Sequence, residues 1–189
     1  MDNYIMIERL KKAGISFDKG LSEDEFAEIE SVFQFRFPSE IKSFLACGLP
    51  TGDEFFNWRD CSPSNVQKFH NYQYAMDKAF LFDFENDFDE LQELLGTYFS
   101  DVTGRSLTAE SLLNYLHKST KLIPFYAHRC FFDGMDHMPI VSFWQPVDSI
   151  FYGETFEDYL EVEFLKKDLC VNKIPEQMKE TGIWYYLIV

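Results

Sequence analysis

Positive charge is what this chain has least of. Its 189 residues carry 17 Lys and Arg against 32 Asp and Glu, a formal net charge of −15. Such a chain repels phosphate backbones and anionic lipid, which excludes sequence-independent nucleic-acid binding and attachment to a membrane surface as expectations. The same field steers in a basic partner. The alternative is that the charge serves solubility alone. Long apolar runs are missing too. No stretch reaches the length of about 18 apolar residues that a membrane span needs, and the opening MDNYIMIERLKK lacks a basic segment followed by an apolar one. There is no Gly-rich phosphate loop. Cys47, Cys61, Cys130 and Cys170 form no CxxC pair, so neither a zinc knuckle nor a thioredoxin-type site is expected. Their apolar and aromatic neighbours predict buried free thiols. Together these features predict a cytoplasmic protein in a reducing compartment.

What the chain has in excess is rings. Phe, Tyr and Trp number 21, 10 and 3, or 18% of the sequence. That load argues for a packed core and against disorder. Some of the rings are expected on the surface, where aromatics mark partner contacts. With no internal repeat, low-complexity stretch or linker, residues 1–189 read as one domain.

The N-terminal part reads as helices. Residues 3–13 form a short amphipathic helix anchored by Ile5, Ile7 and Leu10, stopped at Gly14. Ser22 followed by Glu25 is a capping box, opening a helix with Phe26, Ile29, Val32 and Phe33 on one face. Pro38 breaks it and introduces another, with Ile41, Phe44 and Leu45 apolar, ended by Gly48 and Pro50. GDEFFNWRD (52–60) is a ring-rich strand or loop, and Ser62 caps a helix to about Phe82. DFENDFDE (83–90) reads as a solvated acidic loop, and residues 107–117 as a helix starting near Thr108.

From Leu122 the pattern changes. Residues 122–132 read as one strand covered over most of its length, followed by an Asp133-Gly134 turn. Strands at 139–144 and 149–152 flank a connection at 145–148, and Thr155 caps a helix carrying Phe156, Tyr159, Leu160 and Phe164. Pro175 opens a short helix. The apolar run Ile183–Val189 is expected to add a strand or to dock on another subunit, which makes a homodimer possible. The fold class is therefore α+β: a central antiparallel sheet with helices packed around it.

Two segments resemble the SUKH superfamily of yeast cell-wall regulators and related bacterial proteins. GLSEDEFAEIESVFQFRFPSEIKSFLACGLP (20–50) is similar to the family's opening. LIPFYAHRCFF with MPIVSFWQPVDSIFYGETFEDYLEVEF looks like its bacterial strand–strand–helix segment, and GDEFFNWRD looks like its Trp segment. The resemblance covers most of residues 20–164, leaving 165–189 as a C-terminal extension. The connection 83–105 and the tail depart from the pattern. The resemblance implies a helix-flanked antiparallel sheet and a non-enzymatic role. It also implies an immunity protein that neutralises a secreted bacterial toxin, often a nuclease, by direct binding.

Candidate sites follow from residue type and spacing. Trp58, Arg59, His128, Arg129, Trp144 and Tyr152 form the expected partner-binding surface, since Trp, Tyr and Arg dominate interface hot spots. The alternative places Trp58 and Tyr152 in the core and pairs Arg59 with an acid. Asp83, Glu85, Asp87 and Asp89 form an expected acidic rim for a basic toxin domain. They alternate as calcium ligands do, but Phe88 stands where a calcium loop needs glycine. His128, Cys130, Asp133, Asp136 and His137 are zinc-ligand types without the spacing of a closed site. His128 and Cys130 could serve a hydrolase but lack a Gly-rich oxyanion turn. The sequence thus predicts no catalytic residue, metal or cofactor. A regulatory scaffold and an uncharacterised hydrolase remain the alternative functions.

Overall fold

Helix starts are set by side chains that accept the first unpaired backbone N–H groups. The computed structural model describes residues 2–103 and 106–188. In α1 (Asn3–Lys12) Asp2 accepts from the N–H groups of Tyr4 and Ile5, both at 3.1 Å. A strand β1 (Ser16–Asp18) follows, then α2 (Glu23–Phe33) with the capping box formed in full. Ser22 N–H donates to the Glu25 carboxylate at 2.8 Å, and Glu25 N–H donates to Ser22 Oγ at 3.3 Å. Pro38 precedes α3 (Ser39–Cys47). The strand β2 (Leu49–Thr51) pairs antiparallel with β1, a small sheet the sequence does not announce. The first helix buries Ile7 and Leu10 as expected, but Ile5 faces out and Met6 takes the third inward place.

Ser62 caps a longer α4 (Pro63–Asn86), with Pro63 in its first turn. The acidic stretch 83–90 is thus not a solvated loop. Its first half completes α4, and after Asp87 the chain turns into α5 (Phe88–Thr103), itself interrupted at Gly96. Helix α6 (Ala109–Leu116) starts on a Thr108–Ser111 capping box.

The main sheet is an antiparallel meander of β3 (Leu122–Tyr126), β4 (Arg129–Phe132), β5 (Val141–Phe143) and β6 (Ser149–Phe151). The expected single strand 122–132 is in fact a hairpin, with Leu122 opposite Phe132 and Ile123 opposite Phe131. Ala127 makes the reversal at φ +48°. A 3-10 turn at Pro146–Asp148 joins β5 to β6. Gly153 (φ +122°) leads into α7 (Phe156–Leu165); a Cβ there would come within 2.6 Å of the Tyr159 nitrogen, so only glycine fits.

The sheet separates two hydrophobic cores, which is why its strands are apolar on both faces. Ile123, Phe125 and Phe131 enter the first core with α1, α2, α3 and α7. Leu122, Cys130, Phe132, Val141, Phe143 and Phe151 enter the second with the end of α4, α5, α6 and the C-terminal segment. Each fully buried ring contributes roughly 1.5–3 kcal/mol. Edge-to-face pairs such as Phe33–Trp58, at 5.6 Å between centroids, add directional contact.

The C-terminal run adds no strand to the sheet. After a 3-10 stretch (Glu176–Thr181) it forms α8 (Ile183–Ile188) and buries Ile183, Trp184 and Leu187 in the second core. Trp184 Nε1 donates to the Thr120 carbonyl at 2.6 Å. Ile183, Trp184 and Leu187 of the run expected to dock on another subunit are therefore packed within the chain, while Tyr185, Tyr186 and Ile188 are half-buried and residues 166–170 and 172–174 of the C-terminal extension are exposed; Val189 lies outside the described residues. The architecture is α+β, with two antiparallel sheets and helices around them. Among the described residues no helix is long and apolar enough to cross a membrane.

Candidate functional site

The β3–β4 hairpin places His128 in a turn and Arg129 at the start of β4. Ala127 N–H donates to the Glu54 carbonyl at 2.8 Å, which pins the turn to the Trp58-containing segment. Arg129 lies across from Ser142, and Ser142 across from Ile150, so these three form a row on one face of β4, β5 and β6. The Arg129 side chain is buried, and its Nε and Nη1 are both engaged. Nε donates to Glu163 Oε2 at 2.9 Å, and Nη1 donates to Ser142 Oγ at 2.9 Å. Its plane lies over the Tyr152 ring at 3.8 Å, a cation–π contact. The same Nη1 also meets His128 Nε2.

His128 touches Trp144 edge-on, with centroids 5.7 Å apart. Trp144 itself is 69% exposed, and Ile150 is 46% exposed. Burial, and then the charge of Arg129, lower the His128 pKa, so the imidazole favours its neutral form. The arrangement is a large exposed ring and an aliphatic side chain on a strand face, beside a buried to half-buried Arg–Glu–Tyr–Ser cluster.

The six expected partner-binding residues therefore divide. His128, Arg129, Trp144 and Tyr152 come together. Trp58 does not join them: it is 1% exposed and packs against Phe33, Phe35, Phe37, Phe56 and Phe69 in the first core. Arg59 is elsewhere too. Its Nε donates to Glu25 Oε1 at 2.7 Å and its Nη2 to the Lys19 carbonyl at 2.7 Å, which ties the post-Trp58 turn to the start of α2. The capping N–H of Ser22, followed by Arg59, holds the Glu25 carboxyl down to about 2.

The acidic rim is also divided. Glu85 and Asp89 are exposed and Asp87 is half-buried at the α4–α5 junction. Asp83 is fully buried. Its Oδ2 accepts the Val147 N–H at 2.9 Å, while Oδ1 has no hydrogen-bond partner. Burial pushes its pKa up, opposed by the Val147 hydrogen bond and aided by Asp87 and Glu90. Asp83 therefore leaves the rim and becomes an anchor. It holds the 146–148 turn against the acidic junction between α4 and α5.

The zinc-ligand types are dispersed. Cys130 lies in the second core, 2.7 Å from the Tyr72 hydroxyl, and burial pushes its thiol up to about 12. A thiol so disfavoured as thiolate is a poor nucleophile. Asp133 accepts from Arg36 N–H at 2.8 Å, Asp136 accepts from Ser39 N–H, and His137 N–H donates to Glu40 at 2.7 Å. These three staple the β4–β5 loop to the entry of α3. Among the described residues no group of three or more His, Cys, Asp or Glu could hold a metal ion. The alternating acids 83–89 lie on α4, α5 and their junction, not in a calcium loop. Cys170 is exposed, unlike the buried thiol expected.

Sequence reasoning missed Ser142, Glu163 and Ile150. The only sign of Ile150 was its place between two inward residues of β6, which strand alternation turns outward. Glu163 gave no sign, because its partner lies 34 residues away. A cleft of about 450 Å³ between α4, the 117–121 segment and Trp184 was missed as well. None of the protein-family models, curated proteins or solved structures compared with the chain matches it.

Proposed function

We propose that this chain does no chemistry of its own and works by binding a basic protein partner through the Trp144 face. The observation that carries the reading is Trp144. A ring 69% exposed on a sheet face, in contact with His128 and next to the anchored Arg129, has the composition of an interface anchor. Glu85, Asp87 and Asp89 lie at the α4–α5 junction, which Asp83 ties to the turn after Trp144, and supply a charged edge. The net charge of −15 steers a cationic partner toward it. The resemblance to SUKH immunity proteins gives the sharper form: the partner is a toxin domain whose nucleic-acid surface the acidic side chains occupy. The inert Cys130 weighs against the hydrolase alternative.

Photo-crosslinking tests this reading. A benzophenone amino acid at position 144 is expected to trap one partner, whereas the same group at the equally exposed Tyr4 traps none. Equal capture from both positions would remove the reason for choosing this face.

A further inference from the structure

The seam between the two cores is open on one side of the molecule. Phe33 and Phe69 of the first core, with Met76, Leu122 and Trp184 of the second, floor a cleft of about 450 Å³. That volume lies within the range of about 300–1,000 Å³ typical of small-molecule sites, which pair an apolar lining with a few polar groups. The cleft is distinct from the Trp144 face and shares no residue with it.

Its mouth carries an unusual charge balance for so acidic a chain. Asp77 is already engaged, with His117 Nε2 at 3.0 and 3.1 Å from its two oxygens. Lys121 is not engaged in this way: its ammonium donates to the Gln34 carbonyl at 3.1 Å, and among the described residues no carboxylate pairs with it. No hydrogen bond among the described residues reaches the His70 ring, which also lines the cleft. The one carboxylate of the lining is thus partnered, while an ammonium with spare donors and an imidazole that meets Phe69 edge-on border an apolar floor.

We infer that this cleft binds a small organic anion with an aromatic or alkyl body. The body rests against Tyr74 and Leu116, with Trp184, Phe69 and Met76 beneath, and the anionic group meets Lys121, with His70 as a second donor. The inference is independent of the partner-binding reading, since either site can be occupied without the other.

The test titrates the full chain at neutral pH with two fluorescent probes of similar shape. One is the anionic 1-anilinonaphthalene-8-sulfonate and the other the uncharged N-phenyl-1-naphthylamine. The sulfonate is expected to saturate a single site and to bind at least about fivefold more tightly than the uncharged probe, the scale of one charge-assisted contact. Lys121→Met abolishes that preference, Asp77→Asn increases it, and Trp144→Ala leaves it unchanged. Circular dichroism melts of each variant identify any change due to unfolding. Non-saturable binding, equal affinity for the two probes, indifference to Lys121→Met, or loss in Trp144→Ala each overturns the inference.

Discussion

Replacing Arg129 with methionine removes a buried cation whose partners are buried or half-buried. The Arg129 and Glu163 side chains are 11% and 17% exposed and meet at 2.9 Å. Deleting one member of a buried pair leaves the other charged and unpaired, a cost of about 3–5 kcal/mol. Residual exposure puts this pair at the lower end, about 3 kcal/mol, and loss of the stacking on Tyr152 adds roughly 1 kcal/mol. The sum is a large fraction of the roughly 5–15 kcal/mol that holds a typical domain folded. Urea unfolding reads it directly. With an m value of about 2 kcal/mol/M, the midpoint falls by about 1.5–2 M at unchanged slope. The double variant Arg129→Met with Glu163→Leu removes both charges, and at least half of the loss is expected to return. A single variant within about 1 kcal/mol of the parent, or a double variant no better than the single, would refute the claim that Arg129 is a buried support.

Three further outcomes follow from the same geometry. Asp83 has a raised carboxyl pKa in the folded chain, so its contribution is favourable at low pH and is lost as pH rises through the folded value. Asp83→Asn keeps an acceptor for Val147 N–H, and melting scans should show a higher Tm at pH 7 that shrinks toward pH 3.5. Glu25 has the opposite sign: its folded value of about 2 lies below the unfolded value of about 4.3, so stability present above the latter is lost as pH falls through the former. Acid titration of Glu25→Gln should therefore be flatter over that window. Truncation after Gly182 removes Ile183, Trp184 and Leu187 from the second core, on the order of 5 kcal/mol. Differential scanning calorimetry should then find no cooperative transition near the parent's, and a folded, unchanged truncation product would contradict the packing described.

The sequence was most legible where the physics is local. Ser22, Ser62, Thr108 and Thr155 mark helix starts because the groups they satisfy lie within three residues. The apolar alternation after Leu122 announced the sheet. The hairpin inside 122–132 was hidden, because Ala127 carries no turn signature and adopts its left-handed conformation only with Glu54 accepting its N–H. Trp58 and Trp144 are indistinguishable as letters; one is enclosed by rings brought from α2, α4 and β4, and the other faces water. Asp83 looked like its acidic neighbours, and only the return of the chain at Val147 turns it inward. The acidic composition was legible at once, but the cleft at Asp77 and His117 joins residues 40 apart that no motif links.

The most direct test of the central claim is affinity isolation from native lysate at low and moderate salt, run in parallel with the parent chain and with Trp144→Ala. The account predicts one basic, nuclease-like protein retained by the parent at low salt, reduced at moderate salt, and lost with Trp144→Ala although that variant melts like the parent. A partner retained equally by both chains, or one indifferent to salt, would contradict the account of an acidic binding face centred on Trp144.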